Sequence, residues 1–119
     1  MSSTPPSQRT RFGREIEDRA LALVLTPGTR LLDRNFRCRG GEVDLILEGP
    51  DLDLIFVEVR SRVSWPVALE SIDSKKRRRI SRAARAFLWS YRGRAQRVRM
   101  DVVIWEGGRW NWIRDAWRE

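Results

Sequence analysis

The sequence predicts an α/β domain: a mixed β-sheet flanked by helices, with elements in the order α-β-β-β-α-β-β and a short C-terminal helix. Three observations lead there. Two stretches repeat their apolar residues at the helical period, five others read as extended, and 119 residues are enough for one core but not for two. Residues 1–11, rich in Ser, Thr and Pro with no apolar centre, read as a disordered leader rather than a secretory signal, which leaves residues 12–119 as a single domain.

From Phe12 to Leu25, the residues Ile16, Ala20, Leu23 and Val24 fall on one side of a helix that ends before Pro27-Gly28. Glu15, Glu17 and Asp18 stand in its first turns, where acids suit the positive end of the helix dipole. An extended piece runs from Arg30 to Arg37. After Gly40-Gly41 comes a strand from Glu42 to Glu48, then a turn from Gly49 to Asp53, then a strand from Leu54 to Arg60 rich in Ile, Phe and Val. Two strands joined by so short a loop form an antiparallel hairpin. A loop through Ser64-Trp65-Pro66 leads to the second helix, capped by Asp73 or Ser74 and reaching about Tyr91. Its apolar stripe is Ile80, Ala83, Ala84, Phe87, Leu88 and Tyr91. Its other side carries Lys75, Lys76, Arg77, Arg78, Arg79, Arg82 and Arg85. A strand from about Gln96 to Trp105 turns at Glu106-Gly107-Gly108 and returns through Trp110 to Ile113; Arg114 to Trp117 are expected to close the chain as a turn of helix.

Composition removes whole classes of chemistry. Cys38 is the only cysteine and there is no histidine, so disulfide frameworks, zinc clusters and histidine-based nucleophile systems are excluded within one chain. Catalysis would fall to carboxylates, lysine and arginine with a hard metal ion, Mg²⁺ or Mn²⁺, which prefer oxygen ligands. No run approaches the roughly 18 apolar residues of a membrane helix, so the expectation is a cytoplasmic protein with no membrane partner. Net charge is +8, and its distribution is uneven. Arg60 to Arg99 holds 13 basic residues against Glu70 and Asp73, a local charge of +11, while the remainder, with 11 basic and 14 acidic residues, carries −3. Concentrated positive charge suits a polyanion, because each neutralised phosphate releases counterions. Nucleic acid is the expected partner, contacted by Arg62, Lys75, Lys76, Arg78, Arg79, Arg82 and Arg85; a solvated charged face is the alternative.

The hairpin carries the candidate chemistry. Alternation puts Val43, Leu45 and Leu47 on one face with Glu42 and Asp44 on the other, and groups Phe56, Glu58 and Arg60. If the Gly49–Asp53 turn sets Glu48 opposite Leu54, counting inward sets Asp44 opposite Glu58. Two like charges there repel unless something intervenes, and a divalent cation is one mediator. With another register, both acids are solvated or paired to arginines.

The segment Gly40-Gly41-Glu42-Val43-Asp44-Leu45-Ile46, followed by Phe56-Val57-Glu58-Val59-Arg60, resembles the YraN family, bacterial proteins assigned to the restriction-endonuclease-like, or PD-(D/E)xK, nuclease superfamily. The match extends to Gly13, Glu17 and Ala20, to Asn35, to Lys76, Ala84 and Leu88, and to Asp101-Val102-Val103. The resemblance implies a restriction-endonuclease-like core in which Asp44, Glu58 and the Val59 carbonyl bind Mg²⁺ (or Mn²⁺), with Glu17 completing the site as in the junction-resolving branch. The metal there polarises the scissile phosphate and acidifies water, and a lysine orients that water. Glu17 is equally readable as a helix-dipole charge. The family's lysine position holds Arg60, which offsets charge but is no general base. Lys76 either takes over that role or contacts phosphate, and Asp101 either pairs with an arginine of the site or is structural.

Three function classes follow. The first is a metal-dependent endonuclease acting on DNA, more so than RNA, with branched or single-stranded substrates among the candidates and Asp44, Glu58, Arg60 and Lys76 catalytic. The second is a catalytically inactive nucleic-acid-binding module that retains the fold; a basic adaptor for an acidic protein or the ribosome is a third. Trp89, Trp105, Trp110 and Trp112 are read as core or hairpin packing, and Trp65, in a loop beside the basic region, as the tryptophan for nucleic-acid contact.

Overall fold

The computed structural model describes residues 11–118, so the expected leader lies outside them except for its last residue. The chain runs α1 (Arg11–Val24), β1 (Arg30–Cys38), β2 (Gly41–Glu48), β3 (Asp53–Ser61), α2 (Trp65–Glu70), α3 (Ser74–Ser90), β4 (Arg97–Glu106) and β5 (Arg109–Trp117). The five strands form one sheet in the order β1-β2-β3-β4-β5. Neighbours are antiparallel except β3 and β4, which run parallel along nine residue pairs. A parallel pair needs a crossover, and α2 with α3 supplies it.

The expected α/β architecture is present, with apolar clusters on both faces of a mixed sheet. Under α1, Ala20 and Val24 pack on Leu45, Leu47, Ile55, Val57 and Val103. Under α3, Ile80, Ala83 and Ala84 pack on Ile46, Leu54, Phe56, Met100 and Val102. Val43 joins this second cluster rather than Leu45 and Leu47, so the alternation expected along β2 breaks at Asp44. Across on β1, Asn35 has a left-handed φ of 53° between the paired Arg34 and Phe36, and Phe36 packs edge-on against Phe87 of α3. Gly41 marks a close approach of β2 to α3: a Cβ there would lie 2.6 Å from the Arg79 carbonyl and 2.7 Å from the Ala83 nitrogen. The expected glycine pair thus lets the start of β2 lie against the α3 backbone.

Two segments differ from expectation. The loop through Ser64-Trp65-Pro66 opens α2, because Ser64 caps it by accepting from the Val67 N–H and Pro66 sits in the first turn, where its missing N–H costs nothing. Arg114 to Trp117 are not a turn of helix but the end of β5. Between Met100↔Trp117 and Val102↔Ile113 the β5 strand carries two extra residues. Asp101 fixes this irregularity. Fully buried, its carboxylate accepts from Asp115 N, from Trp112 Nε1 and from both Nε and Nη2 of Arg99, all at 2.9 Å. Asp115, at φ 54°, holds the left-handed conformation the detour requires. Asp101 is therefore structural, with Arg99 as its partner. Asp101→Ala should destabilise the fold by about 3–5 kcal/mol, because it leaves Arg99 with Asp53 alone and strands two further donors, Trp112 Nε1 and the Asp115 N–H; chemical unfolding of the two proteins measures it.

Candidate functional site

The β2–β3 hairpin has the expected register, with Glu48↔Leu54 at the turn and pairing that ends at Leu45↔Val57. One step further, where the ladder stops, Asp44 and Glu58 meet. The Asp44 carboxylate accepts the Val59 N–H at 2.8 Å, replacing the missing ladder bond. A strand residue directs its N–H and C=O to the same side, so the Val59 carbonyl also points toward the gap beside Asp44. Together these groups line a groove of about 300 Å³ that Phe12, Gly13 and Glu17 border from α1 and Glu42, Arg60 and Ser61 from the sheet.

Glu58 is 4% exposed, and its two oxygens have different surroundings. Oε2 faces Arg60 Nη2 at 3.1 Å and Lys76 Nζ at 3.5 Å. Oε1 is buried with no hydrogen-bond partner, yet the Asp44 carboxyl is within hydrogen-bonding reach of Glu58. Burial first, and the Asp44 charge second, push the Glu58 carboxyl up to about 8 against the pull of Lys76 and Arg60. A proton or a cation between the two carboxyls relieves that arrangement.

Lys76 reaches this point because Asp73 caps α3, its side chain accepting from the Lys76 N–H at 2.9 Å. That sets the first turn of α3 over the strand ends. Lys76 Nζ also donates to Glu42 Oε2 at 3.1 Å, and Arg37 and Arg79 approach Glu42 Oε1 at 3.7 and 3.8 Å. Burial opposes ionisation of Glu42, but Lys76, Arg37 and Arg79 outweigh it and hold its carboxyl below the usual range. Glu42 was not among the expected site residues. The signal for it was its place two residues before Asp44 on the same strand.

Glu17 is 5% exposed on the wall of the same groove, where its Oε1 accepts from Arg34 Nη2 and Asn35 Nδ2, both at 3.1 Å. It is thus a buried, clamped acid rather than a solvated dipole charge. Among the described residues no three acids gather closely enough to hold an ion, so Asp44 and Glu58 stand as a pair with Glu17 outside it. Mg²⁺ fits that donor set: it is bound through one or two carboxylates and keeps several of its waters. Asp44, Glu58 and the Val59 carbonyl would hold it.

The expected nucleic-acid contacts separate into two groups. Lys76 and Arg79 turn in toward Glu42, whereas Lys75, Arg78, Arg82 and Arg85 are exposed along one side of α3. Arg62 is exposed just past β3, and Trp65, 42% exposed, opens α2. Trp105 and Trp110 pair across β4 and β5 with centroids 4.9 Å apart, and Trp112 lies under Arg114, so these three pack as expected. Trp89 does not. It is 87% exposed, because it stands four residues after Arg85 and so continues the exposed cationic side rather than the apolar stripe. Among the described residues no helix is long and apolar enough to cross a membrane.

The sequence profile of the uncharacterised protein family UPF0102 matches residues 16–104. The chain is 43% identical to a UPF0102 protein of Cupriavidus metallidurans over 118 residues, 98% of this chain and 87% of that one. A UPF0102 protein of Burkholderia pseudomallei is 44% identical over 109 residues, 90% of this chain and 75% of that one. One from Cupriavidus taiwanensis is 42% identical over 117 residues, 97% and 88% of the two chains.

Proposed function

The chain belongs to UPF0102, the YraN family, and we propose that it is a metal-dependent nuclease that binds DNA along α3 and hydrolyses phosphodiester bonds at the Asp44–Glu58 groove. One observation carries the reading: two adjacent carboxyls at the point where β2 and β3 part, one oxygen of which is buried and unpartnered. When bound there, Mg²⁺ or Mn²⁺ supplies Lewis-acid polarisation of the phosphoryl group and acidification of water. Arg60 and Lys76 place two positive charges beside Glu58, where they offset charge developing on the phosphate. Lys76 is the amine that stands at the site in place of the lysine that Arg60 replaces. Glu17 borders the groove as a further acceptor for water. Cleavage assays on linear, single-stranded and four-way-junction DNA with Mg²⁺ or Mn²⁺ test the proposal. Binding without cleavage of any of them assigns the chain to the inactive-module alternative.

The exposed cationic side of α3 supports the binding half of the reading. Lys75, Arg78, Arg82, Arg85 and Trp89 are spaced by three and four residues, so they share one side of α3 along about 21 Å of helix. A row of cations contacts successive phosphates with little sequence preference, and an exposed indole at its end is a surface on which a base stacks. Replacing Arg78, Arg82 and Arg85 together by Gln should leave the fold intact while flattening the slope of log affinity against log salt by roughly two to three units. A folded variant with the slope of the parent would place the binding surface elsewhere.

A further inference from the structure

A second cavity, of about 660 Å³, lies between the second half of α3 and the strands β4 and β5, and the metal-site reading makes no use of it. It is at the other end of the sheet: Asp53 of β3 borders it, five residues and about 17 Å of strand from Glu58. Its volume is that of a small-molecule site, for which about 300–1,000 Å³ is usual.

Its chemistry is specific. Ala84, Leu88, Val98, Met100 and the Trp117 ring make an apolar wall. Within that wall stand two buried polar atoms without partners, Ser81 Oγ and Trp117 Nε1, on residues 2% and 8% exposed. Four arginines, Arg85, Arg97, Arg99 and Arg118, border the cavity against two aspartates, Asp53 and Asp115. Arg99 is consumed by Asp101 and Asp53. Arg97 and Arg118 each donate to one of the bordering aspartates, yet their side chains stay 59% and 82% exposed, so both remain open to an anion in the cavity. An acyl chain would fill the apolar part but leave the indole N–H and the hydroxyl unmet, which costs free energy. A heterocycle satisfies both, because its edge offers acceptors to the indole and a partner to a hydroxyl that rotates to suit.

We propose that this cavity is a nucleotide-binding site, taking a heterocyclic base against Val98, Met100 and Trp117, with the base edge at Ser81 and Trp117 and the phosphate at Arg85, Arg97 and Arg118. The proposal stands on this cavity alone and survives or fails independently of the metal site. Nucleotide chemistry has two sources here, a free nucleotide or one unit of a strand that follows the cationic side of α3, which Arg85 shares with the cavity rim.

The probe is AMP added to the full chain without metal, followed by calorimetry and by the Trp117 indole N–H resonance. One AMP should bind per chain and shift that resonance, with adenosine and inorganic phosphate each weaker by about tenfold or more, since each makes only half of the contacts. Trp117→Phe keeps an aromatic face and removes the donor, and Val98→Asp adds an anion on a lip that is 45% exposed; each should weaken AMP by about fivefold or more. Because Val98 is half outside the core, the second variant reports even if the first is unstable. A short thymidine oligonucleotide then separates the sources: it displaces AMP if the cavity takes a nucleotide of a strand, and leaves AMP in place if the cavity serves the free nucleotide. Absence of saturable AMP binding, AMP affinity unchanged in both variants, or shifts confined to the Asp44–Glu58 groove would overturn the proposal.

Discussion

Asp44→Asn should reduce metal-dependent cleavage by about a thousandfold or more while leaving nucleic-acid binding unchanged or tighter. The amide still offers an oxygen to the Val59 N–H, so the bond that closes the gap between β2 and β3 survives. What is lost is one of the two charges that attract the cation. Removing about 4 kcal/mol of electrostatic stabilisation from the transition state corresponds to about a thousandfold in rate. Binding should not suffer, because the substitution removes a negative charge from the path of a phosphate. Cleavage within tenfold of the parent would dismiss Asp44 as a ligand. Loss of binding in a normally folded variant would instead make it part of the binding surface.

The hairpin was legible because a single count decides it: the Gly49 N–H donates to the Asp53 carbonyl at 2.8 Å, closing the turn, and every pair toward Leu45↔Val57 follows. The charged side of α3 was legible for the same reason, since helical spacing alone groups Arg78, Arg82 and Arg85. Applied one turn further, that spacing also reaches Trp89; the general tendency of tryptophan to be buried pointed the other way. The end of β5 was not legible. Its detour depends on a buried carboxylate 14 residues earlier in the chain, across the β4–β5 turn, a tertiary contact that no local pattern encodes. Glu42 falls between these cases. Alternation puts it with Asp44, but its partners Arg37, Lys76 and Arg79 come from two other elements, and only the close approach at Gly41 brings them together.

Affinity for Mg²⁺ should rise roughly tenfold per pH unit below about pH 7, bend over near pH 8 and level off above it, a gain of about fiftyfold between about pH 6 and pH 8. The cation requires both carboxyls ionised, and in the metal-free protein Glu58 keeps its proton up to about 8, through burial and then the Asp44 charge. Below that point each ion bound must expel a proton. The same displacement fixes the sign of the stability change. Between the ordinary value of 4.5 and about 8, the folded metal-free chain holds a proton that the unfolded chain has already lost. Its stability therefore falls as pH rises through that window and is constant above it. Mg²⁺ should reverse the loss, since an ion that binds only the folded state stabilises it, and should do so most at and above about pH 8. Asp44→Asn removes the second cause of the shift and should move the Glu58 midpoint down. Calorimetric titrations at several pH values, in buffers of different ionisation enthalpy, count the protons released. Melting temperatures with EDTA or Mg²⁺ give the stability arm. An Mg²⁺ affinity that does not change between about pH 6 and pH 8 would mean that Glu58 is not where the ion binds.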